Sequence, residues 1–234
     1  MGINETTNSE LEWRDDVIPV SLRFDDPYFS VVDGREETRH VFLKGNGLAD
    51  RFSACRAISI GELGFGTGLN FIECWRLWRT LRRPGAVLTY DAVEAYPISS
   101  SEIARALSAW PDLSKDIDQL VRVWTRAQNG PVEVDPQTVL RVHTSGVEQA
   151  LTGFSSGINA WFLDGFSPAK NPDMWSQEVA ELLARKSAQG ATLASYTSAG
   201  WVRRNLQNAG FSIERVPGFG RKRHMITGRL DGAK

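Results

Sequence analysis

Residues 58–69 read I-S-I-G-E-L-G-F-G-T-G-L. An apolar strand runs straight into three closely spaced glycines, Gly64, Gly66 and Gly68. Glycine lets the backbone turn tightly and admits a ligand where a side chain would block it, and the free N–H groups opening the next helix face that ligand. The stretch therefore predicts a strand, a cofactor-cradling turn and a helix. Taken alone, the triplet is equally compatible with a tight turn that binds nothing.

Working outward, a second strand over Val87 to Glu94 ends in an acid after an intervening helix. Strand, glycine turn, helix, strand, acid is the opening of a doubly wound α/β sheet, with Glu94 suited to ribose hydroxyls. The dinucleotide fingerprint G-x-G-x-x-G would need a glycine where Leu69 stands, which disfavours NAD, and no G-x-x-x-x-G-K-[ST] is present to cradle a triphosphate. Further core strands are expected over Thr138–His143, Ala160–Leu163 and Ala191–Tyr196. Helical apolar stripes cover Asn70–Leu81 and Ser99–Trp110, so Trp75, Trp78 and Trp110 are read as core. The segment from Gln128 to Gln137, with Pro131 and Pro136, is expected to be a loop or an edge hairpin.

Residues 1–50 read as a β-rich extension packed on a core domain of residues 51–234, with Asp33-Gly34 as a hairpin turn between two β-prone runs. At the other end Ser198 is the expected cap of a helix over Trp201–Ala209 stopped by Gly210. Phe211–Val216 and His224–Thr227 follow as strands joined by P-G-F-G-R-K-R, an antiparallel hairpin closing a mostly parallel sheet.

The chain has 234 residues, 41% hydrophobic and 24% charged, enough for one well-packed globular unit. Only Cys55 and Cys74 occur, and His40, His143 and His224 lie far apart, so neither disulfides nor a metal site is expected, in keeping with a reducing cytoplasm. The polar start M-G-I-N-E-T-T-N-S-E is not a secretory signal, and no apolar run reaches membrane-spanning length. Net charge is −1, yet its distribution is uneven: residues 1–50 hold eleven acids against five bases, whereas residues 201–230 hold seven bases against Glu214 alone. A basic final third on a near-neutral chain suggests a local phosphate-contacting surface, the alternative being an ordinary solvated face.

The segment W-F-L-D-G-F-S-P-A-K-N-P-D-M-W places Asp164 at the end of a short apolar strand, before a rigid, aromatic-flanked loop. Strand ends of a doubly wound sheet face the cofactor crevice, so Asp164 is expected beside Gly64 and Glu94. An alkylamine attacks only through its lone pair, and a carboxylate within reach orients the N–H and takes up its proton. The competing reading is that Asp164 merely caps the loop that follows.

The run E-x-G-x-G-x-G, with Glu62 at its head, resembles the first motif of S-adenosylmethionine-dependent methyltransferases. Five segments, F-D-D-P-Y-F-S, E-E-T-R-H-V-F-L-K-G-N, G-E-L-G-F-G-T-G-L-N-F, W-F-L-D-G-F-S-P-A-K-N-P-D-M-W and T-S-A-G-W-V-R-R-N-L-Q-N-A-G-F through G-F-G-R-K-R, together resemble the methyltransferase domain of the MnmC and MnmD family. That family finishes 5-methylaminomethyl-2-thiouridine at the tRNA wobble position. The resemblance implies a class I methyltransferase fold and S-adenosyl-L-methionine as cofactor, with methyl transfer to the primary amine of 5-aminomethyl-(2-thio)uridine at position 34. On it, Glu62, Gly64, Phe65, Gly66, Gly68, Glu94 and Asp164 hold the cofactor, and Asp164 is the catalytic residue. Phe166, Tyr196 or Tyr28 flank the sulfonium or stack on a flipped-out uracil, while Lys170, Arg203, Arg204, Arg221, Lys222 and Arg223 meet the anticodon stem-loop. The chain departs from the family where a small-acidic pair is expected after the third core strand; H-T-S-G-V-E stands there, with Ser145 or Glu148 as substitutes near the adenine. In the bifunctional members a flavin-dependent oxidoreductase domain follows and supplies the amine; here it would be fused or act in trans. The alternatives are a methyltransferase of a small-molecule or protein amine, or a catalytically silent RNA-docking module.

Overall fold

The computed structural model describes residues 10–30 and 33–231. Residues 1–9, on which the reading of the amino terminus rests, lie outside the described residues, as do Val31 and Val32.

The chain opens with a small antiparallel sheet of β1 (Leu11–Arg14), β2 (Ile18–Ser21) and β3 (Asp26–Pro27). The strands stop there. The expected hairpin at Asp33-Gly34 is instead the start of helix α1 (Gly34–Thr38), continued by a π-helical turn, Arg39–Lys44, and by α2 (Leu48–Ala54). The reason lies in side chains. Asp33 accepts from the backbone N–H groups of Arg35 and Glu36, satisfying two donors that a helix start leaves unpaired. Arg35 and Arg39, four residues apart and so on one helical face, both reach the buried carboxylate of Glu73, at 2.8 and 2.7 Å. An extended strand would set the two arginines about 13 Å apart along the chain, against about 6 Å in a helix, too far for both to converge on one carboxylate.

The core is an eight-stranded sheet. Its elements are β4 (Ala57–Leu63), α3 (Leu69–Leu81), β5 (Val87–Val93), α4 (Ser100–Leu107), α5 (Ser114–Ala127), β6 (Val132–Asp135), β7 (Thr138–His143), α6 (Val147–Thr152), β8 (Ile158–Leu163), α7 (Gln177–Lys186), β9 (Ser187–Ser195), α8 (Gly200–Asn208), β10 (Phe211–Pro217) and β11 (His224–Leu230). Strand order is β10-β11-β9-β8-β4-β5-β7-β6. The central five strands are parallel. β11 is antiparallel to β9 and β10 to β11, so β10 runs with the core strands and the β10–β11 turn falls on their carboxyl edge. The Gln128–Gln137 region forms the edge hairpin β6–β7.

Helices cover both faces, which is why β4, β5 and β8 are buried through nearly every residue rather than alternately. On one face Phe52, Phe71, Trp75, Trp78 and Trp124 pack from α2, α3 and α5; on the other Phe154, Trp161, Trp175 and Leu183 pack beneath α6, α7 and α8. Trp110 is only half-buried, edge-on to Phe29 at 5.3 Å. Ser99 caps α4 reciprocally with Glu102. Ser198 does not cap α8: the cap position is Ala199, without a side-chain hydrogen bond, because the chain reaches it through a turn in which Thr197 Oγ1 accepts the Ala199 N–H at 3.3 Å.

Candidate active site

β4 lies between β8 and β5, so the residues leaving these three strands stand in a row about one strand spacing apart, near 4.8 Å. The chain after β4 is bound to both neighbours. Gly64 and Phe65 donate their N–H groups to the Val93 carbonyl, each at 3.0 Å, and Asp164 N–H donates to the Leu63 carbonyl at 3.0 Å. Here, where crossovers diverge to either side of β4, a doubly wound sheet leaves a crevice. It is occupied by a cavity of about 600 Å³, within the range of small-ligand sites. Gly64, Phe65, Gly66, Glu94, Asp164, Phe166, Tyr196 and Lys222 all line it, as does Tyr28.

Each lining group has a defined hold. Glu94 accepts from Gly66 N–H at 2.8 Å and Tyr96 N–H at 2.9 Å; its pKa is raised by burial, against the lowering by these two bonds. Phe166 stacks on Phe24 with centroids 4.7 Å apart and meets Tyr28 edge-on at 5.2 Å. The Tyr196 hydroxyl donates to the Gly165 carbonyl at 2.7 Å, and burial pushes this phenol well above its ordinary value. The Lys222 ammonium lies 4.1 Å over the Tyr196 ring and pairs with Glu37 at 2.8 Å. Thus α1 and the β10–β11 turn meet across the cavity wall.

Asp164 is the site's titrating group. Its pKa is raised to about 7, chiefly by burial, with the Glu37 charge adding to the rise and a hydrogen bond from Asn70 and the Lys222 charge opposing it. Asn70, in the first turn of α3, donates through Nδ2 to Asp164 Oδ2 at 2.6 Å and to Glu62 Oε1 at 2.8 Å. Its own Oδ1 accepts from the Thr38 hydroxyl at 2.6 Å. Asn70 and Thr38 are lining residues that the sequence reading passed over. The signal available was a polar residue one step inside an otherwise apolar helix start.

Other expected residues sit elsewhere. Glu62 is fully buried beneath Asn70 and does not reach the cavity, because its β4 position points it into the core. Gly68, in the left-handed region, is the cap of α3. Lys170 is folded back onto Asp25, accepted by its backbone carbonyl and lying 3.2 Å from its carboxylate. Arg203 and Arg204 lie on α8 outside the lining, and Arg221 and Arg223 are exposed on the β10–β11 turn. After β7, the lining residues are Gly146 and Val147 rather than Ser145 or Glu148. His143 is turned inward, stacked on Phe154 at 4.7 Å with Nε2 3.4 Å from Asp91. Among the described residues, no cluster of three His, Cys, Asp or Glu side chains is placed to hold a metal ion.

A family profile described as S-adenosyl-L-methionine-dependent methyltransferase matches residues 111–231, just over half of the chain. The chain belongs to this methyltransferase family. It is similar to the tRNA 5-methylaminomethyl-2-thiouridine biosynthesis bifunctional protein MnmC of Pseudomonas paraeruginosa, 42% identical over 98% of this chain and 36% of that protein. The protein of the same name from Caulobacter vibrioides is 45% identical over 98% of this chain and 39% of its own length. The chain thus spans little more than a third of these curated relatives. Among solved structures, MNMC2 from Aquifex aeolicus shares the fold with a TM-score of 0.77 at 19% identity, covering 92% of this chain and 68% of that one. Spermidine synthase from Thermotoga maritima does so at 0.53 and 9% identity, covering 96% and 72%. The architecture is that of a class I methyltransferase.

The methyltransferase site fits S-adenosylmethionine, the cofactor of this family. Gly66 lies against the Tyr28 ring, which a side chain there would meet at 3.0 Å, and the two line the cavity together, leaving bare backbone in its wall. Beyond it stand the Glu94 carboxylate and, on the far side, Gly146 and Val147.

Proposed function

We propose that this methyltransferase acts on the primary amine of 5-aminomethyl-(2-thio)uridine at wobble position 34 of tRNA, giving the methylamino product. One observation carries the reading. A carboxyl that titrates near neutrality faces the same cavity as the glycine turn, and the turn bearing Arg221, Lys222 and Arg223 overhangs that cavity's rim. The names of the relatives, which match nearly the whole chain at 42–45% identity, support tRNA as the substrate.

S-adenosylmethionine, when bound, supplies an electrophilic methyl group on a sulfonium. The chain's residues do the rest. Glu94 takes the ribose hydroxyls, and the Gly64–Gly66 turn accepts the cofactor against bare backbone. Phe166 and Tyr28 give the uracil an aromatic face, as single-stranded bases are commonly read. Asp164 orients the amine so that its nitrogen lone pair would face the methyl group the cofactor supplies, and its carboxylate would take the proton the methylated nitrogen loses, directly or through water. Lys222, Arg221 and Arg223 contact the anticodon stem-loop. A flavin-dependent oxidoreductase, fused or in trans, generates the amine, in keeping with the relatives' bifunctional name. The setting is the cytoplasm; among the described residues no helix is long and apolar enough to cross a membrane.

Mass analysis of nucleosides from modification-deficient tRNA incubated with the protein and labelled cofactor tests this reading, and unlabelled position 34 with label in a small amine or a protein would refute it. Two expectations accompany it. Because the acceptor must be a carboxylate, kcat at saturating tRNA should rise with pH through about 7; a profile flat from pH 6 to 8 counts against Asp164. Replacing Arg221 and Arg223 by alanine should raise the KM for tRNA severalfold and leave the cofactor's unchanged. Each phosphate contact removed should flatten the slope of log affinity against log salt by roughly one. An unchanged slope takes this turn out of the interface.

A further inference from the structure

Three polar side chains from separate parts of the fold converge under Asp164: Thr38 at the end of α1, Asn70 on α3 and Glu62 on β4. All three are nearly or wholly inaccessible, at 3%, 6% and 0% exposure. A buried cluster of this kind is maintained only if its members satisfy one another. The Asn70 amide does this completely: both Nδ2 hydrogens have a carboxyl acceptor, and Oδ1 receives the Thr38 hydroxyl. Turning the amide over would set Oδ1 against two carboxyl groups, so Thr38 and Glu62 fix which end faces Asp164.

The state of Glu62 matters here. Burial pushes this carboxyl well above its ordinary value, and the charge on Asp164 adds to the rise. Burial thus favours the protonated form of Glu62, which accepts from Asn70 through Oε1. It completes the Asn70 valence, and its burial disfavours a second negative charge beneath the site.

We propose that Asn70 is the positioning residue for the Asp164 carboxylate, clamping Oδ2 from below and leaving Oδ1 for the incoming amine. No hydrogen bond reaches Oδ1 among the described residues. The inference rests on Asp164 being the amine's acceptor and says how that acceptor is kept usable. Burial alone would drive the carboxyl toward its neutral form, in which it accepts no proton. A donor held against one oxygen favours the charged form and fixes its direction. The other groups facing Asp164 are Glu37 from α1, Lys222 from the β10–β11 turn, Tyr196 after β9, and Tyr90 and Glu62 from below. The Lys222–Glu37 pair offsets itself, which leaves Asn70 as the directional donor.

Asn70→Ala should move the Asp164 titration to higher pH by about one to two units, the worth of one hydrogen bond to a charged group. At pH 7 kcat should fall by about five- to fiftyfold and recover as pH is raised. Thr38→Val, which keeps shape and removes only the hydroxyl that orients the amide, should give a smaller shift in the same direction and serves if the first variant does not fold. The shift is read without substrate, from the carboxyl carbon resonance of labelled Asp164 in the protein alone, and separately in the pH profile of kcat. An unmoved resonance in both variants, or a rate lost equally at every pH, would overturn the proposal. The resonance measurement needs no tRNA, so failure of the clamp is distinguishable from failure of the substrate assignment.

Discussion

Asp164→Asn should reduce methyl transfer by about 10²–10⁴-fold, the usual worth of a positioned proton acceptor, while leaving cofactor affinity and the fold in place. The fold survives because the replacement is isosteric and its amide oxygen still accepts the Asn70 donor that meets Oδ2 at 2.6 Å. Transfer fails because the amide nitrogen takes no proton from the amine. Stability gives a second, independent reading. The folded-state pKa of Asp164 is about 7 against an ordinary 3.8, so the native protein binds more protons than the unfolded chain between these values. This contribution is full below the ordinary value and is lost as pH rises through about 7, at up to roughly 1.4 kcal/mol per pH unit. The variant lacks this loss, so its melting temperature relative to the parent should increase as pH is raised from 4 to 8. Calorimetric titration with the cofactor, nucleoside mass analysis and thermal melts across that range check the three outcomes. Equal loss of cofactor binding and transfer would make Asp164 a cofactor or structural residue.

Gly64→Ala should abolish cofactor binding and lower the melting temperature. Gly64 has φ +84°, which is strained for any side chain and costs about 1–3 kcal/mol by itself. A Cβ there would also stand 2.2 Å from the Asp164 carbonyl oxygen. That oxygen is backbone, so relief requires β4 and β8 to separate at their carboxyl ends. Such a movement displaces the glycine turn and Asp164 together, and an ångström of misplacement costs on the order of 10²-fold in rate. Gly85→Ala is the control: φ is +74°, but nothing lies within 4 Å of the added carbon. If the two variants melt alike and bind cofactor alike, the contact between the strand ends is not the constraint described here.

The buried Glu62 beneath the site and the charged groups at its rim divide two tasks. Burial favours the uncharged forms of Glu62 and Tyr90 in the floor, while Arg221 and Arg223, exposed on the β10–β11 turn, present positive charge at the opening. A strongly charged floor would compete with Asp164 for its proton. A basic rim, by contrast, acts at a distance on a polyanion, and its effect is screened by salt.

Much of this was legible in the residues. The order of apolar strand, glycine turn and apolar-faced helix over residues 58–81 is local, and it names β4, the crevice and α3 before any contact is known. Asp164 and Glu94 were legible because a doubly wound sheet sends the ends of its parallel strands to one edge. The helix at residues 34–38 was not, since Asp33-Gly34 also satisfies the local rules for a hairpin. The tie-breaker, the pairing of Arg35 and Arg39 with Glu73, spans more than thirty residues. The same holds for Lys170, whose fold-back onto Asp25 crosses 145 positions.

By itself, then, the sequence determined the class of fold, the glycine turn and the acid at the neighbouring strand end, because these follow from periodicity and from backbone rules that act within a few residues. Only the tertiary structure decided that Thr38, Asn70 and Glu62 converge beneath Asp164, and that Lys222 rather than Arg203 or Arg204 faces the cavity. Hydrogen bonds and burial depend on which strand lies beside which, and that order, β8-β4-β5, exists only once the chain has closed its crossovers.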